Sequence, residues 1–207
     1  MLHEQHHHGR ALVERLDDWQ TRLPEAKGIF QTFAEGEWFV WWPSLWHQLS
    51  GSAREQVLLD FITKDRLAHR GEELSTQQWE RIQRTLPGVR PLAGTFASQS
   101  GPNCLGTTLA AFGIPNMAEL WLHGGPFERW LEAVTVASSE LDALGTILVW
   151  RDAAGRVQHA GVALGEGWLF HKEAQSWSAP RQIVGLSEAL RRWDEPGWRV
   201  TSYMVQS

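Results

Sequence analysis

The chain has 207 residues, with 19 Lys and Arg against 24 Asp and Glu, and a formal net charge of −5. This mildly acidic balance excludes a general attraction to nucleic acid or to anionic membranes. The single cysteine, Cys104, excludes an internal disulfide and a metal site of several thiolates. No apolar run reaches the roughly 18 residues of a membrane span, and residues 1–10 lack the apolar core of a signal peptide. We therefore expect a cytoplasmic protein with no membrane span and no nucleic-acid partner.

The first part of the chain is predicted to be mostly helical. Apolar residues recur at helical spacing in residues 11–23 and 52–69. A third helix is predicted over residues 75–86, because Ser75 and Gln78 have capping-box spacing. Between the first two helices, residues 38–46 hold four tryptophans. We interpret this segment as a packing element, with an exposed binding patch as the alternative.

The Pro- and Gly-rich segment 87–91 is the best candidate domain boundary. It separates an N-terminal helical, Trp-rich extension over residues 1–90 from a second domain over residues 91–207. In the second domain the patterns predict helices over residues 104–112, 116–122, 126–134 and 187–193. They predict strands over residues 146–150, 157–164, 168–171, 177–184 and 198–205. Helices followed by antiparallel strands indicate an α+β fold.

Cys104 begins the predicted helix over residues 104–112, directly after Asn103. A thiol at a helix N-terminus meets the positive end of the helix dipole, which lowers its pKa and activates it as a nucleophile. The alternative is a buried structural cysteine. These two readings predict different reactivity, because a structural thiol stays inert until the protein unfolds.

Two histidines stand on neighbouring predicted strands. His159 shares one strand face with Gly161 and Ala163, whose small side chains leave room for close approach by the Cys104 helix. A histidine at this position is suited to act as a general base for a thiol. The alternative is a buried structural histidine. His171 follows twelve residues later and suits the polar group that orients such a base, with Gln175 as a second candidate.

The pairing of the two strands predicts where these histidines point. A three-residue loop over residues 165–167 sets Leu164 opposite Trp168 and Gly161 opposite His171. Side chains alternate along a strand, so His159 and His171 then share a face. A two-residue loop would reverse the parity and send His171 to the other face.

Four strings together resemble the papain-like NlpC-type cysteine peptidases over about residues 95–205. They are Ser100-Gly-Pro-Asn-Cys104-Leu-Gly106, Leu141-Asp-Ala-Leu-Gly-Thr-Ile-Leu-Val-Trp150, Gln158-His-Ala-Gly-Val-Ala-Leu-Gly165 and Trp168-Leu-Phe-His171. The family order is a cysteine on a helix, a histidine on a strand and a polar residue on the next strand. The sequence departs from the family pattern in three features. Thr146 replaces an aspartate, and the nucleophile string reads Asn103-Cys-Leu-Gly106 where Asp-Cys-Ser-Gly is common. The tyrosine that is frequent upstream of the nucleophile is absent, since Tyr203 is the single tyrosine of the sequence.

The resemblance implies Cys104 as nucleophile, His159 as general base and His171 as orienting residue. It implies a papain-like core that hydrolyses amide bonds, peptide or isopeptide, through a covalent acyl-enzyme. Family members are mostly bacterial cell-wall amidases and endopeptidases. Related papain-like cores serve as acyltransferases and deamidases, and the non-catalytic alternative is a peptide- or partner-binding module. The substrate and the oligomeric state stay open.

Acyl transfer also needs donors for the oxyanion. The backbone N–H of Cys104 is one candidate, and the side chains of Gln99 and Asn103 are two more, although Asn103 also suits a helix cap. We expect no metal and no cofactor. His3 and the tract His6-His7-His8 are interpreted as an unstructured terminal stretch rather than a metal site.

Overall fold

The computed structural model describes residues 13–63 and 66–206, and the chain divides into two units, residues 1–65 and 66–207. The division falls well before the boundary predicted near residue 90. The reason is that residues 66–90 supply buried side chains to the second unit, among them Leu74, Ile82 and Leu86. The terminal histidines His3 and His6-His7-His8 lie outside the described residues.

The first unit contains short helices and a small antiparallel sheet. Its elements are β1 (Val13–Arg15), α1 (Leu16–Arg22), α2 (Lys27–Thr32), β2 (Ala34–Glu35), β3 (Trp38–Val40), α3 (Pro43–Gln48) and α4 (Gly51–Thr63). The sheet order is β1-β3-β2. The expected helical extension is therefore also part sheet, because the Trp-rich stretch pairs as a strand.

Aromatic side chains form the core of the first unit. Trp19, Phe30 and Phe39 are fully buried, and the ring of Trp41 lies edge-on to Trp19 at 4.9 Å between centroids. The packing interpretation of residues 38–46 holds for part of the segment. Trp42 is 55% exposed and does not belong to this buried aromatic cluster.

The second unit begins with α5 (Thr76–Thr85) and α6 (Val89–Leu92), followed by α7 (Cys104–Ala111) and α8 (Gly124–Val134). The capping box that begins α5 is confirmed, since Ser75 and Gln78 each bond the other's backbone N–H. Residues 116–122 form only a short 3-10 turn, Met117–Glu119, instead of the predicted helix.

Six antiparallel strands form the sheet of the second unit. They are β4 (Thr135–Ser138), β5 (Ile147–Arg151), β6 (Val157–Gly165), β7 (Trp168–Lys172), β8 (Arg181–Gly185) and β9 (Arg199–Val205), with α9 (Leu186–Arg192) between the last two. Their order is β4-β9-β5-β6-β7-β8. The α+β class is confirmed. Strand β4 was not predicted, and residues 177–180, predicted as strand, lie in the loop before β8.

The two faces of the sheet are covered by different helices. On one face, α7 and α8 share a core with Ile147, Val149 and Ala160. On the other face, α9 packs against Leu148 and Leu169. Within the described residues, no helix is long and apolar enough to cross a membrane.

The β6–β7 hairpin sets the register of the two histidine-bearing strands. Gly161 pairs with His171, as predicted, but Trp168 pairs with Gly165 rather than with Leu164. The loop has only two residues, Glu166 and Gly167, and an irregularity between Ala163 and Gly165 shifts the register by one. That shift compensates for the shorter loop, so the parity around His171 is the predicted one.

Candidate active site

Cys104 is the first residue of α7 and stands beside an ordered cap. The Asn103 side-chain oxygen accepts the backbone N–H of Gly106 at 3.1 Å, which satisfies one of the unpaired N–H groups of the first turn. The Asn103 amide nitrogen donates to the carbonyl of Leu122 at 2.7 Å. The same loop packs closely on α7, because a Cβ added to Gly106 would lie 2.9 Å from the Leu120 carbonyl oxygen.

These bonds show the capping role of Asn103. Its oxygen caps the helix and one N–H of its amide holds the loop after the 3-10 turn. The amide has a second N–H, so the oxyanion role of the Asn103 side chain stays a prediction. The Gln99 side chain is exposed and remains a predicted donor.

The thiol of Cys104 lies in a buried environment. The residue is only 9% exposed, and burial raises the pKa of the thiol to about 11. Backbone N–H groups of Ala160, Leu105 and Cys104 itself, and the charge of Lys172, lower the thiol pKa in part. The prediction that the helix N-terminus gives the Cys104 thiol a lowered pKa is wrong. Desolvation raises the pKa of the thiol by more than the helix terminus lowers it.

The two predicted histidines meet on the sheet. The Nε2 atom of His159 lies 3.0 Å from the Nδ1 atom of His171, at hydrogen-bond distance. The His171 ring is fully buried, and burial lowers its pKa to about 3, so the ring is neutral at physiological pH. The prediction that these side chains share one sheet face is confirmed.

Gly161 explains how the two rings come together. A Cβ at this position would lie 3.1 Å from the Phe170 carbonyl oxygen and 3.2 Å from the His171 Cβ atom. We predicted that this small face admits the Cys104 helix. That prediction is wrong, because α7 packs on the opposite face, where the side chain of Ala160 points.

Cys104 nevertheless comes next to His159 through the backbone of β6. Its thiol accepts a hydrogen bond from the N–H of Ala160, and that N–H belongs to the peptide that joins His159 to Ala160. The described structure thus brings the His159 and His171 rings into contact and brings the thiol to the peptide beside His159.

The sequence patterns did not reveal the aromatic environment of His159. Trp193, at the end of α9, stacks on the imidazole with 4.2 Å between ring centroids and an interplanar angle of 13°. Trp150 is the cross-strand partner of His159, and the centroids of the two rings are 5.2 Å apart. His159 is only 1% exposed, and these two indoles cover part of its ring. Only the alternation of β5 signalled the position of Trp150, and no pattern signalled that of Trp193.

Gln175 does not replace His171 as the partner of the His159 Nε2 atom. It lies in the loop between β7 and β8, where its carbonyl oxygen accepts the N–H of Gly101 at 2.9 Å. Its contribution is therefore through the backbone, which ties that loop to the segment before Cys104.

Lys172 is a second residue that the sequence interpretation missed. It directly follows His171 and is fully buried, and its pKa is lowered to about 7, mainly by burial. Its position next to His171 in a strand was the available signal, since alternation points it toward the face that α7 covers.

Across residues 13–63 and 66–206, no group of three His, Cys, Asp or Glu side chains is arranged to hold a metal ion. The chain matches no protein-family model, and the comparison with curated proteins finds no significant match.

Proposed function

We propose that residues 66–207 form a papain-like, NlpC-type thiol hydrolase that cleaves amide bonds, peptide or isopeptide, through a covalent acyl-enzyme. Cys104 is the nucleophile, His159 the general base and His171 the residue that orients the base. The observation that carries this proposal is the 3.0 Å contact between the His159 and His171 rings, beside a thiol that bonds the adjacent Ala160 N–H.

The first step is a proton transfer from the thiol to His159. The Nε2 atom of His159 faces His171, so we assign the proton transfer to the other ring nitrogen, Nδ1, while the thiol bonds the N–H of the adjacent Ala160. The pKa of the thiol, about 11, keeps it protonated at rest. His159 therefore removes the proton as the sulfur attacks the carbonyl carbon, which is general-base catalysis rather than use of a preformed thiolate.

The later steps use the same groups in reverse. The oxyanion of the tetrahedral intermediate accepts the backbone N–H of Cys104, with Gln99 and Asn103 as the candidate side-chain donors. The C–N bond then breaks, and the amine leaves with the proton held by His159. Water attacks the thioester with His159 again as base, which releases the acid and restores the thiol. An amine in place of water makes the enzyme an acyltransferase, and a side-chain amide substrate makes it a deamidase.

Covalent labelling tests this proposal. The wild-type protein is treated with a panel of peptidyl acyloxymethyl ketones, and the adduct on Cys104 is measured by mass spectrometry. We expect stoichiometric labelling of the native protein and at least about a hundredfold slower labelling of His159→Ala, in line with the usual contribution of a general base. The control is His47→Ala at an exposed histidine of the first unit. Equal labelling rates in His159→Ala and the wild type would contradict the assignment.

One observation favours a second function, a non-catalytic partner-binding module. The thiol is buried with a pKa of about 11, while Trp121 and Trp177 of the same unit are 58% and 45% exposed. A structural cysteine in such a module would react with the probes only after denaturation. The same labelling experiment, run with and without urea, separates the two functions.

A further inference from the structure

Lys172 is a buried cation that the proposed reaction does not use. The side chain is fully buried, and its Nζ atom donates to the carbonyl oxygens of Ala174 and Ser176, the second at 2.7 Å. Burying an ammonium group is costly unless its hydrogen bonds and charge are used. Both acceptors belong to the loop that follows β7, so this ammonium holds the loop from inside.

The same loop is bonded to the segment that leads into Cys104. The Gly101 N–H donates to the Gln175 carbonyl at 2.9 Å, and the Trp177 N–H donates to the Ser100 hydroxyl oxygen at 3.2 Å. A short chain of hydrogen bonds thus runs from the Lys172 ammonium through the loop to the residues just before the thiol.

Several charged groups surround Lys172. Arg181 is its cross-strand partner on β8, and Arg66 bonds the Ser178 carbonyl of the loop at 2.9 Å. Glu119 pairs with Arg181, and these are the groups, with the Cys104 thiol, that act electrostatically on Lys172. Glu173 binds Arg192 at 2.9 Å instead. Cations thus outnumber carboxylates around the ammonium, an arrangement that favours a negative charge on the neighbouring sulfur.

We propose that Lys172 is a positioning residue for Cys104: its ammonium holds the Glu173–Ser178 loop against Ser100–Gly101 and supplies positive charge that favours the thiolate. The catalytic importance of this Lys172 role rests on the function proposed above. The placement of the ammonium by two loop carbonyls is independent of that function.

Alkylation of the thiol by iodoacetamide tests this role without a substrate. The protein has one cysteine, so the rate of carboxamidomethylation measured by mass spectrometry reports Cys104 alone. The variants are Lys172→Met, which removes charge and donors, and Lys172→Gln, which keeps N–H donors without the charge. Lys27→Met, at an exposed lysine of the first unit, is the matched control.

We expect both Lys172 variants to alkylate at least about tenfold more slowly than the wild type at pH 6, where Lys172 is charged, which corresponds to a rise of about one unit in the thiol pKa. Lys172→Gln should keep a melting temperature closer to that of the wild type. Lys27→Met should alkylate at the wild-type rate.

Folded Lys172 variants with unchanged rates across pH 6–9 would overturn the inference. If neither variant folds, Ser100→Ala decides, because it removes the bond to Trp177 from an exposed residue. An unchanged rate in Ser100→Ala would then refute the positioning role. A wild-type thiol that is inert until unfolding would instead refute the proposed hydrolase, so the two failures are distinguishable.

Discussion

The Nε2 atom of His159 lies 3.0 Å from the Nδ1 atom of His171, and both rings are buried. One proton lies between these nitrogens. For His159 to accept a proton at Nδ1, its Nε2 must carry that hydrogen and donate it to His171. The neutral His171 then keeps its own proton on its Nε2 atom, which is buried and has no hydrogen-bond partner among residues 13–63 and 66–206. The contact thus assigns both tautomers if His159 acts as the base.

The burial of His171 predicts a specific loss of stability in acid. Its pKa is about 3 in the folded protein against 6.5 for an ordinary histidine. Between these values the unfolded chain binds a proton that the folded chain does not, so stability falls as the pH falls from about 6.5 to 3. The expected slope is about 1.4 kcal/mol per pH unit from this group.

Urea denaturation at several pH values from 4 to 7 measures that slope. We expect His171→Gln to lose this part of the pH dependence, while exposed His47→Gln keeps the wild-type slope. Carboxylates with lowered pKa values, such as Asp152, contribute to both proteins and cancel in the difference. Identical slopes in His171→Gln and the wild type would show that His171 charges freely in the folded state.

Cys104→Ala should abolish activity with little effect on folding. The sulfur packs in a cluster with Leu105 and Ala160, and its loss removes a small buried group, at a cost of about 1 kcal/mol in unfolding free energy. The measurements are turnover of whichever substrate the labelling panel identifies and urea denaturation at pH 7. Full turnover by the purified Ala variant would exclude Cys104 as the nucleophile.

Arg151 should contribute more to stability than a surface arginine. Its nearly buried guanidinium bonds both oxygens of Glu128, the Tyr203 hydroxyl at 3.0 Å and Thr201 at 3.2 Å. Arg151→Met leaves these partners unpaired, so we expect a loss of about 2–4 kcal/mol in unfolding free energy.

The matched control is Arg156→Met. Arg156 pairs with Asp152 at 2.8 Å, but its side chain is 65% exposed, so we expect a loss of no more than about 1 kcal/mol. Urea denaturation of both variants gives the comparison. Equal losses would mean that the burial of Arg151 adds nothing to its contribution.

Truncation tests the boundary between the two units. A fragment of residues 66–207 should fold, whereas one of residues 91–207 should not, because it lacks Leu74, Ile82 and Leu86 from the core of the second unit. Each buried leucine or isoleucine contributes about 1.5–3 kcal/mol, so their joint loss is comparable with the whole stability of a domain. Cooperative urea unfolding of fragment 91–207 would contradict this division.

Local sequence patterns were sufficient for several elements of the second unit. The α5 capping box depends on residues three apart, and the start of α7 at Cys104 follows from Asn103 as its cap. The shared face of His159 and His171 follows from alternation once Gly161 is set opposite His171. These features are determined by neighbours along the chain or across one hairpin, so the sequence is enough to predict them.

The tertiary structure decided the features that depend on distant segments. The helix that packs on each sheet face, the stacking of Trp193 on His159 and the boundary between the units all result from packing between residues far apart in sequence. The thiol pKa shows the reason most directly. The position of Cys104 at a helix start is a local signal, and it lowers the pKa of the thiol. Burial raises that pKa to about 11. This burial comes from the packing of distant segments, so no local sequence pattern predicts it.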